Sequence, residues 1–536
     1  MRRRAISLWA VIMLTAIGFS LNAGTLVVNA AWQVGTAPFP EDTDGDGDFA
    51  TIQAAVDAAS ARDRIEIATG VYDEQVIVDK SITLIGSGIE TILRPGPDTS
   101  EAFELFNSSP GGDRIIASPL VCFGPEGSEI VVQSLQVDCS SLGQLPEGGK
   151  GLQGIMFIGT SGKIQDVSVS HVNAGDLSAN GIILLAYDRI VDVEVSNCSV
   201  SDFRSAAIKA SNAGLNASIH SNTVTGTRNT MPVQIGIQLG FGATGSIVEN
   251  EVRDIAGPKP EIMQWAMGIV VVSSDVEVLR NSVVDCQSGI YCVFIHPGEY
   301  QLQIRENVIS SSGLEDPELA DCGNGIWVTP FSSRAVVNVA IEDNDLTGGG
   351  IGSAIQIGEM PRKQPDGLVQ GSIKGNQIDD WYYGLSFRTT TGAVTASANT
   401  IGMCSLGGTG ESGPAVQLPG ITADISIDPA GFSEEPFGSA IYVTGVSVDS
   451  IQIANNILAG NQVGVINDGY GILDVRENWW GDPTGPDGPA FPDANSGAVA
   501  GGLGDKIFCF GDGAGLAFDP WLVEEPDSLA IEAEGS

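Results

Sequence analysis

Twelve short copies of one pattern, spread between Gly154 and Asn467, leave this chain very few folds to choose from. Each copy has Gly or Ala, then an aliphatic residue, then any residue, then usually another apolar one. The copies begin at Gly154, Gly181, Ala207, Gly236, Gly268, Gly289, Gly325, Ala354, Gly384, Ala415, Ala440 and Gly464. Their second position reads Ile155, Ile182, Ile208, Ile237, Ile269, Ile290, Ile326, Ile355, Leu385, Val416, Ile441 and Val465. Steps run from 21 to 36 residues and average about 28, from (464 − 154)/11, inside the window of solenoid arrays. Alternation within each copy follows the two-residue period of a strand. Each copy is therefore expected to be one short strand stacked on its neighbours.

A second series interleaves with the first. An aliphatic-x-x-Asn-x-aliphatic stretch lies between almost every pair of copies, marked by Asn197, Asn222, Asn250, Asn281, Asn307, Asn344, Asn376, Asn456 and, less perfectly, Asn399. Ser170 holds that place in the first coil, and the coil after Ala415 has none. Asn tolerates left-handed backbone and closes tight turns, and stacked Asn side chains can hydrogen-bond into a ladder. The expected architecture is all-β: a single-stranded right-handed parallel β-helix of about 15 coils, spaced about 4.8 Å apart. An ordinary β-sandwich with chance similarity is the competing architecture, and twelve copies in register argue against it.

The chain opens with Met1-Arg2-Arg3-Arg4 and an apolar run from Ala5 to Leu21, with small residues at Val28 and Ala30. That is the layout of an export leader over residues 1–31, cut near Ala30 or Ala31; an uncleaved membrane anchor is the alternative. No later segment reaches the roughly 18 apolar residues of a membrane span. The chain is expected to be secreted, extracellular or in the cell envelope, with no membrane insertion after cleavage. Without the three leading arginines its charge is 22 − 66 = −44, which argues against nucleic acid and polyanions as partners. An acidic lead-in and capping helix are expected over residues 32–64, where Ile52, Ala55, Val56 and Ala59 share one face and Thr51 can cap. Such a cover suits the exposed end of a solenoid. The β-helix is expected over 65–478, a C-terminal cap over 479–522 and an acidic disordered tail over 523–536. In the cap, Trp479, Trp480 and Trp521 either close the core or stack on sugars.

Eight cysteines are compatible with disulfides in an exported protein. Cys292 with Cys322 is one expected pairing and Cys122 with Cys139 another. No CxxC occurs, and His171, His220 and His296 lie beside no Cys pair, so a zinc site is not expected.

The segment from Phe49 to Gly86 resembles the opening of pectin lyase-like β-helix proteins, pectinesterases in particular, through "FATIQAAVDAA", "GVYDE" (Gly70 to Glu74) and "ITLIG". The repeats resemble those of polysaccharide lyases, epimerases and secreted bacterial β-helix proteins, and "NWWG…GP…FDPWL" resembles the ending of the last group. The resemblance implies the fold over nearly the whole chain after the leader. It does not carry the chemistry, because the "QDT", "DFIFG" and "GRPW" segments of pectinesterases are missing, as are the paired Asp plus "GHG" of pectin hydrolases and the "DPHE" of alginate epimerases. Fold alone supplies no reaction.

A site is sought on the outward residues of the repeats. The third positions read Met156, Ile183, Lys209, Gln238, Val270, Tyr291, Trp327, Gln356, Ser386, Gln417, Tyr442 and Ile466, flanked by Asn324, Thr329, Tyr383 and Arg388. Aromatic rings stack on sugar faces while amides bond hydroxyls; the bland alternative is that these residues only cover the sheet. Long connections beside coils Gly268 to Gly384 favour a groove there, with Gln238, Tyr291, Trp327, Gln356, Tyr383 and Arg388 as substrate-binding residues. The expected function is binding of an extracellular polysaccharide or cell-surface component without catalysis. A polysaccharide lyase using Arg388 and Tyr383, a hydrolase using Asp379 and Asp380, and a structural cell-envelope rod are the alternatives. Asp42, Asp44, Asp46 and Asp48 match the first half of a calcium loop, although Gln53 stands where the bidentate carboxylate belongs.

Overall fold

The computed structural model describes residues 23–29 and 48–526, apart from 96–105, 108–114, 258–265, 312–322, 359–366, 405–437 and gaps of five residues or fewer. The chain winds through three parallel sheets once per coil. Sheet I has 17 strands, such as Val191–Ser196; sheet II has 13 short ones, such as Ser199–Ser201; sheet III has 16, such as Ala206–Ser211. Among the described residues every strand pairing but one is parallel, the exception joining Phe106–Asn107 to Ile115–Ala117. A parallel crossover of this kind is right-handed. Fourteen strands of sheet III follow in unbroken order from Val76–Val78 to Ile507–Cys509, giving a stack roughly 60 Å long.

The repeat pattern is the lining of this stack. Ile155 pairs with Ile182, and the register continues through Ile208, Ile237, Ile269, Ile290, Ile326, Ile355, Leu385, Ile441 and Val465. All of them have 0% exposure, and each buried side chain of this size is worth about 1.5–3 kcal/mol. The first position is small because the neighbouring coil leaves no room. A Cβ on Gly154 would lie 2.5 Å from Val169 Cγ1 and 2.6 Å from the Gly181 oxygen.

The copy at Ala415 is not a rung. Tyr383–Phe387 pairs directly with Ser439–Ser447, so no coil separates Gly384 from Ala440, and Val416 and Gln417 lie outside the described residues. The Asn series agrees. Asn222, Asn250, Asn281, Asn307, Asn344, Asn376, Asn399, Asn456 and Asn478 form one ladder, each donating its backbone N–H and its Nδ2 to the next Oδ1 at 2.9–3.0 Å. Asn399 bonds straight to Asn456. Each Nδ2 also donates to a carbonyl of the preceding coil, as Asn307 does to Val278, so these buried amides are satisfied.

The left-handed residue of the turn is not the ladder Asn but the one before it, among them Glu249, Arg280, Glu306 and Asp343. Asn197 is one of these, at φ 54°, and Cys198 takes the ladder position and donates its N–H to Asn222 Oδ1 at 2.9 Å. The ladder asparagines are needed for their side-chain bonds, while the left-handed turn accepts several residue types.

Both ends are covered. The helix Ile52–Ala58 buries Ile52, Ala55 and Val56, and Thr51 Oγ1 accepts from the Ala54 N–H. Glu74 accepts from the Ile52 and Gln53 N–H groups at 2.8 and 2.9 Å, while Lys80 donates to the Val56 oxygen at 3.0 Å. A carboxylate therefore meets the positive end of the helix and an ammonium the negative end. Ahead of the helix, Thr25–Val28 pairs with Arg64–Ile67 and fully buries Val28, so a leader ending at residue 31 would remove a strand of sheet I. At the other end Trp480 is fully buried and Trp479 nearly so, which makes them core closure. Trp521 packs against the core from the outside. Among the described residues no helix is long and apolar enough to cross a membrane.

Candidate functional site

The expected stripe lies on the outer side of sheet III in the order anticipated, with Val270, Tyr291, Trp327, Gln356, Ser386, Tyr442 and Ile466 in successive register. It is not an open surface. Tyr291 and Tyr383 are 5% exposed, Gln238 6%, Gln356 4% and Arg388 9%; Trp327 alone of the six keeps intermediate exposure. Side chains one coil apart close over each other. Tyr291 and Trp327 have centroids 4.9 Å apart, and Tyr383 stacks on Tyr442 at 4.6 Å and 12°. Met267, Val270 and Val272 join Tyr291 in one apolar cluster, and Val463 and Ile466 join the two tyrosines in another. Aromatic and aliphatic side chains at coil spacing bury one another instead of waiting for a ligand.

The expected catalytic groups are likewise occupied or misplaced. Arg388 lies 5.7 Å from the Tyr442 ring and donates through Nε to Ser386 Oγ at 3.2 Å, and Tyr383 is held in the tyrosine stack. Asp379 ends the sheet II strand Gln377–Asp379 and Asp380 forms the turn after it at φ 60°, so neither belongs to the sheet III face. Burial pushes both carboxyls up, that of Asp380 further raised by the charge of Asp379. Cys122, Cys139 and Cys292 are buried free thiols, which overturns both expected disulfides as far as the described residues reach; Cys322 lies outside them. Side chains in the stack interior approach their own coil neighbours, and burial pushes these thiols upward, leaving them protonated and unreactive. Asp42, Asp44 and Asp46 lie outside the described residues, and the Asp48 backbone pairs with Val27.

An open groove of about 470 Å³ lies instead on the outer face of sheet I, lined by Glu129, Lys163, Asp192, Glu194, Asn216 and Ser218 among others. Lys163 Nζ donates to Glu194 at 2.8 Å, and Asn216 Nδ2 donates to Asp192 Oδ1 at 2.9 Å. The Lys163 hydrogen bond, outweighing partial burial, holds the Glu194 carboxyl below its ordinary range. The floor is close-packed backbone. Gly162, at φ 155°, could carry no Cβ, which would fall 1.8 Å from the Ile130 oxygen.

The turns that join sheet III to sheet I carry further rings, and Tyr187 packs against the outward residues Val121, Met156 and Ile183 of sheet III. Phe123 is 37% exposed, Phe241 38% and Ile190 92%, and Tyr187 is half-buried. Phe123 and Tyr187 meet edge to face at 6.0 Å, and Arg189 lies 5.3 Å from the Phe123 ring centre while donating to the Gly124 and Gly159 oxygens. Sequence reading missed this groove because its residues are the ordinary polar side of alternating strands. The available signal was Gly162, a glycine inside a strand, which marks close backbone approach.

A sequence model described as "Right handed beta helix region" matches residues 153–346. No curated protein matches the chain. Among solved structures it is similar to XylC in complex with xylose, at 11% identity over 82% of this chain and 84% of that one, with a TM-score of 0.38. A family 28 exopolygalacturonase of Yersinia enterocolitica shares 10% identity over 70% and 75% of the two chains, TM-score 0.34. The tailspike gp61 of Pseudomonas phage phi297 shares 12% over 80% and 72%, TM-score 0.32. The described residues form a right-handed parallel β-helix.

Proposed function

We propose that this protein binds a neutral polysaccharide, without cleaving it, in the groove on sheet I. The observation that carries the reading is the groove itself, an open polar face on which Lys163, Asp192, Glu194 and Asn216 stand together. Sugar hydroxyls donate to Asp192 and Glu194 and accept from Lys163 and Asn216. Three carboxylates against one ammonium line the groove, which disfavours uronate chains. Glu194 is ion-paired and held ionised, the wrong state for donating a proton to a leaving group.

The test is retention of the secreted protein on insoluble xylan and β-glucan against polygalacturonate, with reducing ends and unsaturated uronate assayed in the same tubes. Retention on the neutral glycans, lost in Asp192→Ala with Asn216→Ala and kept in Trp327→Ala, is the expected result. Preference for polygalacturonate, release of products, or dependence on Trp327 instead of Asp192 overturns the reading.

A further inference from the structure

We propose that export trims this chain at the Ala23–Gly24 bond and that Asp63 receives the new amino terminus. The inference rests on the leader read from Arg2 to Leu21 and is independent of what the groove binds.

The first strand excludes a later cut. Thr25–Val28 pairs residue by residue with Arg64–Ile67, and Val27 and Val28 also pair with Asp48 and Phe49. Val28 has 0% exposure, and its oxygen accepts from the Ala68 N–H at 2.8 Å and the Tyr72 hydroxyl at 3.4 Å. Cleavage at Ala30 or Ala31 would strip this strand from Ile65 and Ile67, both buried, and leave an open edge of sheet I beside the capping helix.

Gly24 is already tied into the fold. Its oxygen accepts from the Arg64 N–H at 2.9 Å, and its own N–H donates to Asp63 Oδ1 at 2.7 Å. Asp63 Oδ2 accepts from the Ser60 N–H at 2.7 Å, which fixes the carboxylate in place. Ala23 and Gly24 are exposed, and Ala23 supplies the small residue directly before the bond, with Leu21 two places ahead of it where the usual pattern has a second small residue. Hydrolysis adds one water across the bond, leaving a carboxylate on Ala23 and an ammonium on Gly24. That ammonium forms where the Gly24 amide already lies, so a neutral hydrogen bond becomes a charge-assisted one.

The full-length gene product is expressed in a secreting bacterial host, and the exported protein is analysed by N-terminal sequencing and intact mass. Gly24 as first residue, in a chain of 536 − 23 = 513 residues, is expected. A first residue at Ala31 or Trp32, or retention of Met1, overturns the proposal. Asp63→Asn should be cut at the same bond and melt roughly 1–2 °C lower at neutral pH. Pairing raises the α-amino pKa above its usual value of about 7.7–8.0, so the deficit should fade as pH rises beyond that range. A deficit that persists unchanged to strongly alkaline pH would show that Asp63 serves Ser60 alone.

Discussion

On sheet III the side chains that point away from the axis touch one another, whereas on sheet I they meet solvent. The backbone is the same in both, parallel strands stacked in register. The difference lies in side-chain shape and chemistry. Tyr383, Tyr442, Val463 and Ile466 are large and apolar enough to close over their own strands. Asn216 bonds Asp192 and Lys163 bonds Glu194 through short polar contacts, and all four stay accessible. Pointing outward is thus a property of the strand, and being exposed is a property of the neighbours. Tyr442→Ala tests this most severely. Tyr442 is 3% exposed and stacked on Tyr383, so its removal should cost about 3–5 kcal/mol, visible as a lower denaturant midpoint. Unchanged stability with lost glycan retention would instead make sheet III the binding face.

The two sheets also end on carboxylates of opposite character. Beside the last strand of sheet III, burial pushes Asp505 up to about 6, although Gly460 and Asn461 donate to it. Beside the last strand of sheet I, burial also pushes Asp493 upward, but the N–H groups of Asn495, Ser496, Phe518 and Asp519 outweigh it and hold the carboxyl at about 2. A raised carboxyl contributes stability that is present below its unfolded value and lost as pH rises through its folded value. Asp505 should therefore weaken the sheet III end by about 3 kcal/mol between about pH 4 and pH 7. Asp493 stabilises the sheet I end above its unfolded value and gives that up only as pH falls toward 2. Hydrogen-exchange protection at Asn461 and Ile507 should drop over the first interval in the native protein and stay level in Asp505→Asn. Equal protection in both proteins at every pH would remove the distinction.

How much of this was legible in the sequence follows from what each residue contacts. Ile155 through Val465 face their own copies one coil away, so their burial is written in the repeat itself, and the ladder from Asn222 to Asn456 is written the same way. The Ala415 copy has the right four residues, but its place depends on Asn399 meeting Asn456, which no local pattern reveals. Asn197 was one position off because the turn carries two specialised places and Asn can fill either. The closure of Tyr291 on Trp327 was invisible because it depends on rotamers set by both neighbouring coils. The sheet I groove was invisible because Lys163, Asp192 and Asn216 are individually unremarkable surface residues. Its binding role gives a smaller, sharper test. Asp192→Ala should leave the denaturant midpoint nearly unchanged and weaken retention on neutral glycan about tenfold, one charged hydrogen bond's worth. The same loss from Trp327→Ala, with none from Asp192→Ala, would move the site back to sheet III.

The smallest effect is expected at the turn between the two sheets. Phe241 has φ 58° and is 38% exposed. A left-handed backbone costs a bulky residue about 1–2 kcal/mol, whereas Asn tolerates it. A ring kept there at that cost, with more than a third of its surface open, fits contact with a ligand lying along the turn edge. Phe241→Asn should therefore raise the thermal midpoint slightly, by up to about 1 kcal/mol in stability, while lowering glycan retention. If the variant is less stable than the native protein, the ring is packed structure, and the turn edge belongs with the self-covered face of sheet III and not with the open one of sheet I.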